Sequence, residues 1–415
     1  MYSEQWKYPA PMMSMGMMEN SMMLAPPISQ RLDELLSARL QEVIMTKDDF
    51  QVARSCLREL QTLVGELGSG WRVKPFGSLC NGYAIQGSDL DVACIREGED
   101  DGFPTALQML EQVLPLFQAR DKFKVVDAIK AAMVPILKIN FQQVLDVDLS
   151  FKNTGPLPNT QLLRAYSELD THVRELVVMV KLWAKAAGVC GAANGHLSAY
   201  SFTLMAIYFL QVDPQLRMPC LNTALFTGEG SLPKEAKVLP WKCTLQSSQL
   251  LFRFFSFFAR EFRWGSEVVS IRVGARSAAM DPPFEALKGR MEERLHIEDP
   301  FQLSRNLHCV LRTESEYVLY YKIVEGMQAM FRGEVPVGLA PLKPPTPQRT
   351  QLAVKEEPRK IGTAARAGYQ PPHFIRPISA QPLQALPPPA PPADAGSGPA
   401  PDEVPMTKLQ RRWFF

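Results

Sequence analysis

Two aspartates separated by one residue are the strongest chemical signal in the sequence. Asp89 and Asp91 lie in the stretch 87–92, where Leu90 and Val92 are apolar. Residues two apart on a β-strand face the same side, so both carboxylates share one face. At about 4 Å and an effective dielectric near 20, their repulsion is on the order of 4 kcal/mol. The pair therefore implies a bound cation, a shared proton or splayed side chains.

The neighbouring sequence favours a metal that meets a phosphate. Oxygen ligands with an open side for substrate favour magnesium over zinc. Gly77-Ser78 precedes the aspartates; glycine lets backbone amides approach a phosphate closely, and the serine hydroxyl adds a hydrogen bond. A third carboxylate is expected from a later strand, where Asp146 and Asp148 lie on one face. Spacing alone does not choose between these two.

Charge and composition exclude several classes of protein. The 415 residues contain 45 Lys+Arg and 43 Asp+Glu, so no overall basic charge marks a protein that coats nucleic acid, and any contact with nucleic acid must be local. The seven cysteines form no Cys-x-x-Cys pair and the five histidines are dispersed, which argues against zinc. Reduced thiols predict an intracellular enzyme, cytoplasmic in our interpretation, with nucleus and mitochondrion left open. No apolar run approaches the roughly 18 residues that span a bilayer, so we expect no membrane association.

Hydrophobic spacing predicts an α+β protein of five segments. These are a disordered Met-rich leader (1–28), N-terminal helices (29–67), a small α+β unit (68–155), a mainly helical unit (156–332) and a disordered Pro-rich tail (333–415). The strands expected in the α+β unit are Trp71–Phe76, Leu90–Ile95, Val134–Phe141 and Val144–Phe151, with a helix over Thr105–Gln118. The later helices are expected at Thr171–Val189, Ser198–Leu210, Gln246–Phe262, Phe284–Leu295 and Ser315–Phe331.

Gly77-Ser78, the Asp89/Asp91 pair and the stretch 147–151 together resemble the signature of DNA polymerase β-like nucleotidyltransferases. Within that superfamily the sequence is similar to the non-canonical poly(A) polymerases and terminal uridylyltransferases. The resemblance implies a nucleotidyltransferase palm, a mixed sheet with helices, beside a mainly helical central domain. It also implies that Asp148 is the third ligand, which leaves Asp146 as a surface or supporting carboxylate.

The resemblance extends over about 29–331 and implies a nucleotide-binding surface. Its implied residues are Gly77, Ser78, Asn159, Lys181, Lys185, Ser198, Tyr200 and Arg305. Lys181 and Lys185 are four apart on one helix face and can reach one triphosphate; a solvated stripe is the alternative. Tyr200 would stack on the incoming base, or else pack in the core. The stretch 297–306 is similar to the family's nucleotide-recognition motif.

Two positions depart from the family pattern. Arg305 stands where uridine-preferring members carry histidine, so UTP and ATP both remain candidates. Arginine has five donors and no acceptor, and a salt bridge to Glu298 or Asp299 is the alternative to a base contact. Ala199 replaces the serine before the tyrosine, which removes a contact worth about 0.5–1.5 kcal/mol.

The implied function is a template-independent RNA nucleotidyltransferase that adds UMP or AMP from UTP or ATP to RNA 3′ ends. Asp89, Asp91 and Asp148 would hold a Mg²⁺ at the RNA hydroxyl, and the first two would also hold a triphosphate-bound Mg²⁺, with Mn²⁺ as the alternative. The expected partners are the RNA 3′ end and proteins recruited by the tail. Two other hypotheses are a catalytically idle RNA-binding scaffold, which predicts a broken triad, and a transferase with a small-nucleotide acceptor.

Overall fold

The computed structural model of the chain describes residues 23–96, 104–234, 236 and 241–342. These residues fold around two large hydrophobic cores, one beneath a mixed β-sheet and one inside a helical array. Residues 1–22 of the leader predicted at 1–28 lie outside the described residues. The same holds for residues 343–415 of the tail predicted at 333–415. Among the helices described, none has both the length and the apolar composition that crossing a bilayer requires.

The chain begins its described fold with two helices, α1 (Pro26–Val43) and α2 (Lys47–Gly65). Thr46 starts α2 with a capping box: its hydroxyl accepts from the amide of Asp49 (3.2 Å), and the Asp49 carboxylate accepts from the amide of Thr46 (2.7 Å). The buried residues of α1 belong mainly to the helical core, whereas those of α2 belong to the sheet core. The two helices therefore connect the two cores.

The mixed sheet carries the acidic stretch identified from the sequence. Its strands are β1 (Trp71–Phe76), β2 (Leu90–Arg96), β3 (Phe123–Ile129), β4 (Ile136–Phe141) and β5 (Leu145–Phe151). They are ordered β1-β2-β5-β4-β3, with β2 and β5 parallel and the other pairs antiparallel. Helices α2 and α4 (Ala106–Gln118) cover one face, and a four-residue helix α3 (Ser78–Asn81) follows β1. The opposite face presents the aspartates.

The strand β3 was not predicted from the sequence. It is an edge strand on which Phe123 is buried but Lys124, Val126 and Asp127 are exposed. A register shift between Val125 and Asp127 also breaks the alternation by which strands are recognised. Because an edge strand with one buried side chain has little apolar patterning, its sequence resembles a loop.

The second core is built from five longer helices. They are α5 (Pro156–Ser167), α6 (Thr171–Ala186), α7 (Ala199–Val212), α8 (Ser247–Ser256) and α9 (Thr313–Phe331), with a π-helical turn at Phe257–Glu261 that extends α8. The helix predicted at Phe284–Leu295 is wrong. The structure has a single 3₁₀ turn at Pro282–Phe284 followed by turns, and Gly289 has φ +70°, outside the helical region. Phe284 and Leu287 are spaced as on a helix, but they pack into a small separate core.

A two-stranded parallel sheet positions the stretch that resembles the nucleotide-recognition motif. Strands β6 (Val268–Val269) and β7 (His296–Ile297) pair, and the loop after β7 is closed by Asn306, whose Oδ1 accepts from the amide of Ile297 (3.0 Å). Arg272 binds the buried Glu298 through two hydrogen bonds of 2.6 and 3.1 Å. This buried ion pair fixes the start of the loop against the helical core.

Candidate active site

The parallel pairing of β2 with β5 brings three carboxylates together. Asp91 and Asp148 are register partners, and Asp89 lies immediately before β2. Ligand oxygens of the three side chains all lie within 4.8 Å of one another. Asp146 is not part of this cluster, because its Oδ1 accepts from Asn140 Nδ2 at 2.7 Å on the neighbouring strand. The geometry thus selects Asp148, and not Asp146, as the third member.

The charges of the cluster favour binding of a cation. Burial, followed by the charges of Asp89 and Asp148, raises the pKa of Asp91 to about 8. Lys138 Nζ lies 2.8 and 2.7 Å from the two oxygens of Asp148, so one ammonium group already neutralises part of the charge. Three converging oxygen donors on a partly open face match the ligands that hard divalent cations prefer. The residues therefore fit a divalent metal site.

The turn at Gly77 approaches the cluster so closely that no side chain fits there. Gly77 has φ +71°, and a Cβ atom built on it would lie 1.9 Å from Asp91 Oδ2. The amide of Gly77 donates to Thr160 Oγ1 (3.1 Å), which links the turn to α5. Ser78 is half-buried and begins α3 directly after the turn. The lack of a side chain at Gly77 thus leaves room for the Asp91 carboxylate, and Ser78 lies at the edge of the same site.

Helix α6 forms the wall that carries the two predicted lysines. Lys181 Nζ donates to the carbonyl oxygen of Tyr83 at 2.9 Å, and it is close enough to Asp89 and Asp91 to interact with their charges. Burial lowers the pKa of Lys181 to about 8 in spite of those carboxylates. Lys185 lies one helical turn further along and is exposed. The structure therefore places one lysine inside the acidic cleft and the second at its solvent side.

Two of the predicted nucleotide-binding residues, Ser198 and Tyr200, lie at the start of α7. Ser198 is the N-cap of α7, where its hydroxyl accepts from the amide of Ser201 (3.2 Å). Tyr200, in the first turn of α7, donates from its hydroxyl to Asn159 Oδ1 at 2.7 Å. Tyr200 is partly buried against the helical core, which agrees with core packing, the alternative to base stacking.

Arg305 lies beside Asp299 and not beside Glu298. The Arg305 Nη1 to Asp299 Oδ2 distance is 3.8 Å, and the Arg305 side chain is 48% exposed, which leaves it free to meet a ligand. Asp299 is fully buried, and its Oδ1 accepts from the amides of Phe301 and Gln302 at 3.0 Å. Its Oδ2 has no hydrogen-bond partner among the described residues. Tyr200 and Arg305 both interact electrostatically with Asp299, so one small region unites the predicted base contacts.

Sequence reasoning missed two residues that lie beside the predicted ones: Lys138, which binds Asp148, and the buried Asp299, which lies beside Tyr200 and Arg305. Lys138 alternates with the buried Leu137 and Ile139 on β4, a pattern that could have placed it on the open face. Its partner depends on the register with β5, which the sequence does not display. Asp299 was considered only as a partner for Arg305.

The raised pKa of Asp91 predicts that metal binding releases a proton. With a pKa of about 8, this carboxyl is mostly protonated at pH 7, and a cation binds the ionised form. We expect about one proton released per site at pH 7 and little at pH 9, with apparent affinity rising up to about tenfold per pH unit below 8. Calorimetry of Mg²⁺ binding in buffers of different ionisation enthalpy measures it. Asp146→Asn is the control that should still release the proton, and equal release at both pH values would contradict the assignment.

The raised pKa of Asp91 also makes the stability of the metal-free protein depend on pH. The pKa of Asp91 is raised from 3.8 to about 8, so the folded chain binds this proton more tightly than the unfolded chain does. Its contribution to the free energy of unfolding is therefore fully present below pH 3.8 and is lost as the pH rises to about 8.

Comparison with known proteins agrees with this geometry. Residues 32–168 match the model of the central palm domain of the mitochondrial-like poly(A) RNA polymerases, and residues 248–305 match that of the Cid1 family poly A polymerases. Poly(A) RNA polymerase GLD2 of Danio rerio is 28% identical over 294 residues, which are 68% of this chain and 58% of that protein. Terminal uridylyltransferase cid1 of Schizosaccharomyces pombe is 26% identical over 77% of this chain and 84% of its own length.

The chain covers only part of several relatives. It spans 58% of the Danio rerio GLD2 protein and 21% of terminal uridylyltransferase 7 of Homo sapiens, to which it is 27% identical. Among solved structures, a cytoplasmic RNA terminal U-transferase superposes with a TM-score of 0.61 at 22% identity, covering 76% of this chain and 97% of that one. The Cid1 poly (U) polymerase bound to Mg and 3′-dATP superposes with a TM-score of 0.62 at 23% identity over 74% and 94% of the two chains. The sequence motifs, the two matched domains and the fold of the chain are all consistent with the non-canonical poly(A) polymerase and terminal uridylyltransferase family.

Proposed function

We propose that the chain is an RNA 3′-terminal nucleotidyltransferase that transfers UMP or AMP from the nucleoside triphosphate to the end of an RNA strand. The observation that carries the proposal is the convergence of the Asp89, Asp91 and Asp148 oxygens within 4.8 Å beside the Gly77 turn. Relatives named as poly(A) RNA polymerases and terminal uridylyltransferases support it. The idle-scaffold hypothesis predicts a broken triad, whereas all three carboxylates converge here.

In the proposed reaction the RNA 3′ hydroxyl attacks the α-phosphorus, the bond from that phosphorus to the bridging oxygen breaks, and pyrophosphate leaves with the proton passing to solvent. Mg²⁺, with Mn²⁺ as the alternative, would lower the pKa of the hydroxyl and neutralise charge on the phosphates. The chain's contribution is to hold the ions with three aspartates and to orient the triphosphate. Ser78, Lys181 and Lys185 would supply hydrogen bonds and positive charge to the β and γ phosphates.

Base recognition is assigned to the region around Asp299. Arg305 offers donors, and Asp299 Oδ2, which lies 3.8 Å from Arg305 Nη1, offers an acceptor. Uracil presents an O4 acceptor beside an N3–H donor, and adenine presents an N1 acceptor beside an amino donor. Both bases therefore match this pair, which is why the proposal names UTP and ATP together. Asn159 and Tyr200 would contact the ribose or the base face beside them.

The proposal is tested with a labelled single-stranded RNA and each of the four triphosphates separately, in Mg²⁺, in Mn²⁺ and in EDTA. We expect extension with UTP or ATP as the preferred donor and none in EDTA. Extension that is indifferent to chelation would refute the two-metal assignment. Transfer to a free nucleotide but not to RNA would favour the small-nucleotide acceptor instead. The cytoplasmic location and the tail-bound protein partners belong to the same proposal and are tested by fractionation and by affinity capture with and without residues 343–415.

A further inference from the structure

Strands β5, β4 and β3 place three charged side chains in one row on the open face of the sheet. Lys138 is the register partner of Asp148 on one side and of Asp127 on the other. The register shift between Val125 and Asp127 is what brings the aspartate opposite Lys138. Side chains directly opposite on adjacent antiparallel strands have Cβ atoms about 4.5–5.5 Å apart, so one lysine reaches both carboxylates.

The three groups are not equally engaged. Lys138 Nζ lies 2.8 and 2.7 Å from the two oxygens of Asp148, so it covers both atoms that could ligate a metal. Asp127 is exposed, and its Oδ1 accepts from the amide of Ala128 at 2.8 Å. The side chain of Lys138 is 39% exposed, so no packed core holds it on Asp148. A second carboxylate is therefore within reach if the lysine leaves the first.

We propose that Lys138 is a displaceable cation that holds Asp148 until a divalent ion takes that carboxylate, and that it then moves to Asp127. The inference rests on the proposed function, in which Asp148 serves only the ion at the RNA hydroxyl while Asp89 and Asp91 serve both. Lys138 hydrogen-bonds Asp148 and acts on Asp89 and Asp91 only through its charge, so it opposes the ion that needs Asp148 more strongly than the other ion. Lys138 would therefore weaken the binding of the ion that needs Asp148 relative to the ion bound with the triphosphate.

Mn²⁺ binding, followed by the magnetic resonance signal of the free ion, tests this without turnover. The protein is saturated with a UTP analogue that cannot be cleaved between the α and β phosphates. We expect a tight and a weak class of Mn²⁺ in the parent and loss of the weak class in Asp148→Asn. Lys138→Met should tighten the weak class about fivefold, since a partly exposed ion pair is worth up to about 1 kcal/mol, and should tighten the tight class by less.

Asp127 is tested by a double-mutant cycle. Asp127→Asn removes the receiving carboxylate, so the weak class should weaken about twofold to threefold. In the Lys138→Met background the same change should have no effect, and Lys138→Arg should behave as the parent. Thermal unfolding of each variant shows that it is folded.

Several results would overturn the inference. A Lys138→Met protein whose weak class is unchanged or weaker would do so, as would an Asp127→Asn effect that persists without Lys138. Both results leave the proposed function intact, because they are obtained on a parent that binds two classes of ion. A parent that binds no Mn²⁺ would instead overturn the proposed function together with this inference.

Discussion

Replacing Asp91 by asparagine is expected to lower RNA tail extension by more than about a hundredfold. A bound metal ion contributes several kcal/mol to transition-state stabilisation, and each 1.4 kcal/mol is a factor of ten in rate. Burial, followed by the charges of Asp89 and Asp148, raises the pKa of Asp91, and an asparagine amide there would remove an anionic ligand from the centre of the cluster. The measurement is the initial rate of extension of a labelled RNA at saturating triphosphate and Mg²⁺.

Asp146→Asn is the matched control for this experiment. Asp146 is on the same strand as Asp148, two residues away, and its carboxylate binds Asn140. The substitution makes the same chemical change as Asp91→Asn, but outside the cluster. A surface substitution of this kind changes free energies by about 0.5 kcal/mol or less, so activity should stay within about threefold of the parent. An Asp91→Asn protein within about tenfold of the parent, or an Asp146→Asn protein that is equally impaired, would refute the assignment of the triad.

Much of this site could be read from local sequence. The alternation around β2 placed Asp89 and Asp91 on one face, because the period of a strand is fixed by its backbone. The local sequence identified Asp146 and Asp148 as two candidates for the third carboxylate, but it could not decide between them. They differ only in the neighbouring strand that each contacts, and the parallel register of β2 with β5 is set by packing between segments whose paired residues, such as Asp91 and Asp148, are 57 apart in sequence.

The features that sequence reasoning missed share a physical cause. Lys138 is important because of a register partner on β5, and β3 is an edge strand whose identity comes from pairing with β4. The wrong helix at Phe284–Leu295 has apolar spacing that suits a helix, but tertiary packing and Gly289 determine its conformation. Strand pairing decides the first two features, and tertiary packing together with the conformation of Gly289 decides the third; local propensity is a weak guide to such contacts.

Replacing Gly77 by alanine is expected to abolish divalent-metal binding and to lower activity by more than about a hundredfold. The added Cβ would lie 1.9 Å from Asp91 Oδ2 and 2.8 Å from its Cγ, so the carboxylate must leave its position or the turn must move. The φ of +71° adds about 1–2 kcal/mol of backbone strain for any residue with a Cβ.

Gly87→Ala separates these two effects. Gly87 has φ +73°, and a Cβ there would meet nothing within 4 Å, so the substitution carries the backbone strain without the collision. Gly87→Ala should lose about 1–2 kcal/mol of unfolding free energy, measured by denaturant titration, and Gly77→Ala should lose at least as much because the collision adds to the strain. Only Gly77→Ala should lose Mn²⁺ binding. If Gly77→Ala bound metal as well as Gly87→Ala does, the close approach of the turn would not be what positions Asp91. The Asp91 carboxylate would then be held by its strand alone, and the glycine would serve only the conformation of the turn.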